Sequence, residues 1–307
     1  MEEARELFAE TDCWMEVRDA WAFCMEEVFV LLDIASEQVD LQASLFVRVD
    51  LRFEAPTWEV LASFDFSATT YRPLSPDEHW VLTSGGHLHE IRADQMRSHQ
   101  AFTDLYLRGF EILDDRTALL FGEDGAVFRL EGGEGTRLDS ETDEELLDAH
   151  CPRPDAGLFC GTNGTLLVWN GTSLSRVELD EDAEFETVHQ TNGTILLGIG
   201  DGSGRVRSGG ETIRVGEADG GVQSVTTFKG VEYWGDDDFG IYAREGETLV
   251  EKFETGGALR LNATTDVLAV SNGAHVFLFD GTSWIQLHAT PSCEALIRRV
   301  ELDFTPM

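Results

Sequence analysis

The chain has few positively charged residues, and lysine is nearly absent. Its 307 residues include 22 Lys and Arg against 58 Asp and Glu, which gives a formal net charge of -36, and only Lys229 and Lys252 are lysines. Charge of this sign repels nucleic acids and anionic membranes and attracts cationic proteins or metal ions. We therefore expect no nucleic-acid or membrane partner. A salt-loving host is the alternative explanation of the acidity.

Targeting and membrane signals are also missing. The first residues, MEEARELFAETDCW, contain no basic segment followed by an apolar one, and no apolar run in the chain is long enough to span a membrane. Cysteines are five in number and irregularly spaced, which indicates free thiols rather than a disulfide framework. These cysteines are Cys13, Cys24, Cys151, Cys160 and Cys293. We expect a cytoplasmic protein.

Catalytic motifs are absent as well. There is no nucleophile elbow, phosphate loop or dinucleotide fingerprint. His87 and His89 lie on the same side of a predicted strand, but the sequence offers no third metal ligand. Asp236, Asp237 and Asp238 are consecutive, so their side chains diverge and do not follow a calcium-loop pattern. The sequence predicts a protein without a catalytic site, metal or cofactor.

A repeated unit is present instead. Six segments, beginning at His79, Thr117, Gly157, Thr194, Val231 and Val267, each read as an apolar strand, a tight glycine turn, a second strand, another turn and a third strand. The glycine that closes the first turn recurs at Gly86, Gly125, Gly164, Gly204, Gly240 and Gly273. A further strand precedes each segment. Four antiparallel strands in a unit of about 40 residues predict a β-propeller.

Two of the units, CGTNGTLLVWNGTSL (160–174) and SNGAHVFLFDGTSWIQL (271–287), best carry the pattern G-x-x-G-x-apolar-x-x-x-[DN]-G-[ST]-x-W. This pattern resembles that of bacterial repeat propellers, and the resemblance covers roughly residues 75–290. It implies the architecture and says little about function, since propellers serve as enzymes, sensors and docking scaffolds. Neither the Gly-His and Trp-Asp repeat of the WD type nor the kelch double glycine is present in register.

The N-terminal region predicts one more blade. Residues 26–34 and 45–63 supply three of its strands, and either residues 14–23 or residues 293–304 supply the innermost one. We therefore expect an all-β propeller of seven four-stranded blades, with six as the alternative. Residues 1–13 are predicted to form a short helix or arm, and residues 14–307 a single domain closed by pairing of the N- and C-terminal strands.

The propeller topology predicts where the acidic residues lie. Turns between the second and third strands of a blade share one face with the links between blades, so two acidic links (138–150 and 178–187) and the turn at Asp236 converge there. Trp234, Phe185 and Phe239 lie beside these acids and could act as aromatic anchors, although Trp234 could equally belong to the core. The predicted partner-binding residues are Asp143, Glu144, Glu145, Asp148, Asp180, Glu181, Asp182, Glu184, Trp234, Asp236, Asp237 and Asp238.

Three functions remain open at the level of the sequence. The favoured one is a non-catalytic propeller that binds a basic protein through an acidic face, in its sharpest form an immunity or inhibitor protein that neutralises a toxin or effector. The second is a scaffold or sensor subunit of a bacterial assembly. The third is a hydrolase, lyase or sugar-binding protein that uses the central funnel, because carboxylates from different blades could converge there. Solvated acidic loops without any function are the simplest reading of each acidic run taken alone.

Overall fold

A computed structural model describes residues 14–36, 41–92, 95–99, 105–179, 181–290 and 297–300. The predicted N-terminal arm, residues 1–13, lies outside this part of the chain. The described residues contain strands and no helix, and therefore no helix long and apolar enough to cross a membrane.

The strands form seven consecutive groups, which we call blades 1 to 7. Blade 1 contains β1 (Trp14–Cys24), β2 (Glu27–Ser36), β3 (Leu41–Asp50) and β4 (Thr57–Phe64); blade 2 contains β5 (Ala68–Ser75), β6 (Glu78–Thr83), β7 (Leu88–Arg92) and β8 (Gln95–His99). Blade 3 contains β9 (Leu107–Asp114), β10 (Thr117–Gly122), β11 (Val127–Glu131) and β12 (Glu134–Leu138); blade 4 contains β13 (Leu146–Arg153), β14 (Ala156–Gly161), β15 (Leu166–Trp169) and β16 (Leu174–Arg176).

Blade 5 contains β17 (Phe185–Thr191), β18 (Thr194–Ile199), β19 (Ser203–Ser208) and β20 (Glu211–Glu217); blade 6 contains β21 (Val222–Phe228), β22 (Val231–Asp236), β23 (Gly240–Glu245) and β24 (Thr248–Glu254). Blade 7 contains β25 (Arg260–Ala263), β26 (Leu268–Ser271), β27 (His275–Phe279), β28 (Trp284–Ala289) and a fifth strand, β29 (Ile297–Val300). Each blade is one sheet whose strands follow sequence order. The prediction of a seven-bladed, all-β propeller is confirmed.

Closure of the domain by pairing of the N- and C-terminal strands stays a prediction. β1 is the first strand of blade 1 and pairs with β2, whereas β29 pairs with β28 at the outer edge of blade 7. There the buried Ile297 covers an edge that would otherwise expose unpaired backbone groups. Blades 1 and 7 are joined by the backbone of Val17, which donates to Gly273 O (2.6 Å), and by Asn262, whose amide donates to Ala20 O (3.0 Å).

Contacts divide the chain into two compact units. Apart from a few boundary residues, the first unit holds blades 1, 2 and 7, and the second holds blades 3 to 6. That residues 14–307 form a single domain therefore stays a prediction.

In the first unit, β2 contains an uninterrupted apolar run, Val28 to Leu32, because both of its faces are buried there. Val28, Val30 and Leu32 point into one cluster, which includes residues of β3 and β27. Phe29 and Leu31, which alternate with them, point into a second cluster around Phe46 and Tyr71. Since successive side chains of a strand point to opposite faces, a central strand packed on both sides reads as a continuous apolar run.

In the second unit, Trp234 is fully buried and packs with Val225 and Tyr242. Gly204 makes room for its ring: a Cβ at Gly204 would overlap ring atoms of Trp234. The sequence predicted a turn role for this glycine. Five of the six recurrent glycines do have positive φ, at Gly86, Gly125, Gly164, Gly240 and Gly273, but Gly204 lies in β19 and Gly202 (φ 84°) occupies the turn.

A register shift occurs near the start of the first strand in blades 1 to 6. One residue is skipped in the pairing with the second strand, as between Leu146 and Asp148 or between Phe185 and Thr187. The skipped residues are Arg18, Thr69, Arg108, Leu147, Glu186 and Gln223. Such a bulge redirects the side chains around it. In blades 4 and 6, the residue that follows it accepts a backbone N–H from the next first strand.

Two histidines, the buried His79 and the half-buried His189, are held in the neutral state. Nδ1 of His79 accepts the Tyr71 hydroxyl (3.0 Å) and Nε2 donates to Pro76 O (2.9 Å), while burial lowers the pKa of His79 from 6.5 to about 4. Burial, with the neighbouring His150 as a smaller cause, lowers the pKa of His189 to about 3. His150 and His189 stack with ring centroids 4.2 Å apart.

Replacing Gly204 with alanine should destabilise the second unit, because the added methyl group overlaps Trp234. We expect Gly204→Ala to lower the free energy of unfolding by about 1–3 kcal/mol, measured by urea denaturation. Ser208→Ala, at an exposed position of the same strand, is the control and should change it by less than about 0.5 kcal/mol. In a Trp234→Phe background the cost of Gly204→Ala should shrink; an unchanged cost would show that the overlap is not its cause.

Acid should weaken the fold through these histidines. Their unfolded forms bind a proton near pH 6.5, while the folded forms stay neutral until about pH 4 for His79 and about pH 3 for His189. The unfolded state therefore binds more protons in this window, and stability falls as pH falls through it. Between pH 7 and pH 4, the free energy of unfolding of His189→Gln should fall by on the order of 2–3 kcal/mol less than that of the wild type. Equal pH slopes for the two proteins in chemical denaturation would contradict this.

Candidate partner-binding face

The turns between second and third strands and the links between blades meet at one end of blades 3 to 6. Backbone hydrogen bonds connect them, among them Glu123 N to Tyr106 O (3.1 Å), Thr162 N to Glu145 O (3.0 Å), Gly164 N to Ala183 O (2.8 Å), Ala218 N to Gly202 O (2.8 Å) and Asp237 N to Gly221 O (3.1 Å). This end, which we call the acidic face, carries the residues that the sequence analysis singled out. Their roles there differ from one another.

The three consecutive aspartates have distinct environments. Asp236 is fully buried, and its two carboxylate oxygens accept the backbone N–H groups of Gly240 (2.6 Å) and Gly220 (2.8 Å). Asp237 is exposed and accepts the N–H of Gly221 through one oxygen (2.8 Å). Asp238 is exposed and makes no side-chain hydrogen bond or ion pair to a described residue. The first two aspartates thus attach the turn of blade 6 to the link that precedes the blade.

The aromatic residues beside these acids do not form a binding surface. Trp234 and Phe185 are fully buried in the core. Phe239 is half-buried and packs on Tyr242, with ring centroids 5.4 Å apart. Trp234 and Asp236 are therefore removed from the predicted partner-binding set, because a partner could reach them only if blade 6 opened.

Three predicted residues of the first acidic run, Glu144, Glu145 and Asp148, make contacts within the fold. Glu144 accepts hydrogen bonds from Thr162 Oγ1 (2.9 Å) and Asn163 Nδ2 (2.6 Å), and Glu145 pairs with Arg108 (2.6 Å). Asp148 accepts Oγ1 of Thr187 (2.8 Å) and the N–H of Val188 (3.0 Å) in blade 5. Asp143 is exposed and forms no ion pair with a described residue.

The second acidic run likewise contains both paired acids and exposed acids. Glu181 forms a two-pronged ion pair with Arg205, at 2.9 Å from Nε and 2.6 Å from the terminal nitrogen. Asp182 and Glu184 are exposed and unpaired with any residue of the described ranges. Asp180 lies outside the described residues.

Hydrogen bonds between the first strands of adjacent blades follow a pattern that was not predicted from the sequence. The side chains of Glu111, Asp148, His150 and Ser224 each accept a backbone N–H from the first strand of the next blade. The donors are Cys151, Val188, Gln190 and Leu261, at 2.9–3.0 Å. Asp148 and Ser224 directly follow the skipped residue of their strands, a feature that is visible in the structure and not in the sequence.

Five of the predicted residues remain available to a partner: Asp143, Asp182, Glu184, Asp237 and Asp238, which we call the exposed acidic set. Glu186, the skipped residue of β17, adds a half-buried carboxyl group beside it. Burial, and next the charge of Glu184, raises the pKa of Glu186, while Arg108 and Arg260 act in the opposite direction. Glu186 belongs to the second acidic run, which the sequence places on this face, but it was not among the predicted partner-binding residues.

The described residues do not assemble a cluster of metal ligands. No group of three or more His, Cys, Asp or Glu side chains within them could hold a metal ion. His89 hydrogen-bonds Ser98 through Nδ1 (2.8 Å), and its ring packs on Phe64. Cys151 and Cys160 are free thiols whose pKa is raised by burial, which makes them poor nucleophiles.

The contrast between Asp148 and Asp143 gives a direct test of the two roles. Asp148→Ala leaves the buried N–H of Val188 without its acceptor, so we expect a loss of about 1–3 kcal/mol in the free energy of unfolding. Asp143→Ala should change stability by less than about 0.5 kcal/mol. Urea denaturation of both variants measures the difference; similar values for the two would contradict the structural role of Asp148.

No family model matches the chain, and no curated protein matches it. Among solved structures, the WD40 β-propeller domain of Doa1 superimposes with a TM-score of 0.68 at 11% identity, over 89% of this chain and 95% of that one. The computationally designed Ika8 protein gives 0.62 at 12% identity, over 88% and 98%. YCF48 bound to D1 peptide gives 0.57 at 11% identity, over 71% and 80%. At these identities the likeness shows the fold alone: the chain is a β-propeller, an architecture that commonly serves as a protein-interaction scaffold.

Proposed function

We propose that this chain is a non-catalytic propeller that binds a basic protein through its acidic face. The observation that supports this most strongly is the exposed acidic set, whose five carboxylates lie at the same end of blades 4 to 6 and form no ion pair with the described residues. The turns and links that carry this set are fixed in place by hydrogen bonds to Glu144, Asp236 and Asp237. Such an arrangement is preorganised for a cationic surface.

Charge favours the same partner. The net charge of -36 creates a negative field that accelerates encounter with a basic protein and slows encounter with an acidic one. Within the acidic face, Arg108 and Arg205 are already engaged by Glu145 and Glu181, so they do not neutralise the exposed set. A cationic partner would relieve repulsion among like charges that the chain itself leaves uncompensated.

In its specific form, we propose a cytoplasmic immunity or inhibitor protein of a bacterial host. It would neutralise a basic toxin or effector by covering the active site, with the exposed carboxylates in place of an anionic substrate. The structure of YCF48 bound to D1 peptide supports the general point that a propeller of similar fold binds a polypeptide. A scaffold or sensor subunit would use the same face but would not block a catalytic activity.

Charge reversal on the acidic face should weaken the complex. We expect the wild-type protein to capture a basic protein from its native host, with the product of an adjacent gene as the first candidate. The triple variant Asp143→Lys, Asp182→Lys and Asp238→Lys should bind at least about tenfold more weakly, and added salt should weaken the wild-type complex by screening. None of these three side chains makes a hydrogen bond or ion pair to the described residues, so folding should be preserved.

The matched control reverses three exposed acids at the opposite end of the blades, Glu134→Lys, Glu211→Lys and Glu247→Lys, with the same change in net charge. These residues flank the turns between third and fourth strands. Equal binding by the two triple variants would show that net charge, and not the acidic face, is responsible. Binding without loss of the partner's catalytic activity would favour the scaffold over the inhibitor.

A further inference from the structure

The chain contains four Asn-Gly pairs, and the structure places them in different environments. The pairs are Asn163–Gly164, Asn170–Gly171, Asn192–Gly193 and Asn272–Gly273. Glycine after asparagine leaves the following backbone nitrogen unshielded, so this dipeptide is where an asparagine amide is most easily attacked by its own backbone. Whether attack occurs in the folded protein depends on how firmly each pair is held.

Asn163 and Asn170 are held by their side chains. The amide of Asn163 donates to Glu144 Oε2 (2.6 Å), and the adjacent Gly164 N–H donates to Ala183 O (2.8 Å). The Asn170 carbonyl oxygen accepts Thr172 N (3.0 Å), Thr172 Oγ1 (3.0 Å) and Ser173 N (2.9 Å), and its amide donates to Ser173 Oγ (3.0 Å). Attack at either side chain would first require these bonds to break.

Asn272 is held in a similar way. Its carbonyl oxygen accepts the N–H groups of His275 (2.8 Å) and Ala274 (3.2 Å). The following residue, Gly273, accepts the N–H of Val17 through its carbonyl oxygen (2.6 Å), so the backbone of this pair is fixed to blade 1.

Asn192 differs from the other three. It is exposed and lies with Gly193 in the two-residue turn between β17 and β18, with φ of 48° and 78° and flanking Thr191 paired with Thr194. Neither its side chain nor the Gly193 N–H makes a hydrogen bond to a described residue. No atom lies within 4 Å of the position that a Cβ of Gly193 would occupy.

We propose that Asn192 is a site of spontaneous deamidation, with water as the only co-reactant. The backbone nitrogen of Gly193 attacks Cγ of Asn192, a C–N bond forms, and the Cγ–Nδ2 bond breaks. Ammonia leaves with the proton from the Gly193 nitrogen, and a five-membered succinimide remains. Water then opens either carbonyl of the ring, which yields aspartate or isoaspartate at position 192 without any change of oxidation state.

The product would alter a tight turn. Isoaspartate inserts one methylene group into the backbone of a two-residue hairpin, whose geometry depends on positive φ at both central residues. Either product also adds a carboxylate to a chain that already carries a net charge of -36. The turn lies at the end of blade 5 opposite the acidic face, so the modification is independent of the proposed binding surface.

Peptide mapping by mass spectrometry tests the proposal on the folded protein. After incubation at mildly alkaline pH, Asn192 should convert at least about tenfold faster than each of the other three asparagines, a ratio that corresponds to about 1.4 kcal/mol of local opening. In urea-unfolded protein, the rates at the four sites should approach one another. If any other Asn-Gly pair reacts as fast as Asn192 in the folded protein, the proposal is wrong.

Two variants make the test specific. Asn192→Asp should remove the ammonia release that is assigned to this site and leave the rates at the other three unchanged. Thr172→Val combined with Ser173→Ala removes both hydroxyl contacts of Asn170, so deamidation at Asn170 should accelerate while Asn192 keeps its rate. No acceleration at Asn170 would show that hydrogen bonding of the side chain does not control reactivity in these turns.

Discussion

An acceptor side chain on the first strand of one blade takes a backbone N–H from the first strand of the next, at four places within blades 3 to 7. Apolar packing between blades is strong but non-directional, so it does not by itself fix how one sheet is offset along its neighbour. Within the second unit, the bond from Asp148 to Val188 fixes that offset between blades 4 and 5. The bulge that precedes Asp148 turns its side chain toward the neighbouring blade.

The need for side-chain acceptors of backbone N–H groups divides the acidic residues into two groups. Buried or half-buried carboxylates such as Asp236 and Asp148 accept backbone N–H groups, and a charged acceptor makes such bonds about twice as strong as neutral ones. Exposed carboxylates such as Asp143 and Asp238 contribute little to the fold. The acidic residues therefore have two roles. Some of them connect blades within the fold, and others form a negative surface at one end of blades 4 to 6.

Hydrogen bonding also decides the chemistry of the turns. Asn163 and Asn192 occupy turns of similar sequence and similar backbone conformation, with φ of 51° and 48°. Glu144 and Ala183 hold the first of these pairs through its side chain and its backbone. The turn at Asn192 joins the first and second strands of blade 5 and lies at the end opposite the links between blades. A link therefore does not hold it as Ala183 holds Gly164.

The sequence alone determined the repeat, the all-β class and the blade count, because period-2 apolar strands recur in every blade and glycines recur near the same turn in blades 2 to 7. It also located the end of the blades at which the acids gather, since that follows from strand topology. It could not separate Asp236 from Asp238, or Asp148 from Asp143, because adjacent acids look alike until their hydrogen-bond partners are known. The sequence assigned Gly204 to a turn. The side chain that requires a glycine at this position is Trp234, which lies 30 residues away in the chain. Tertiary structure alone decided these roles, because burial and long-range hydrogen bonds depend on which segments the folded chain brings together.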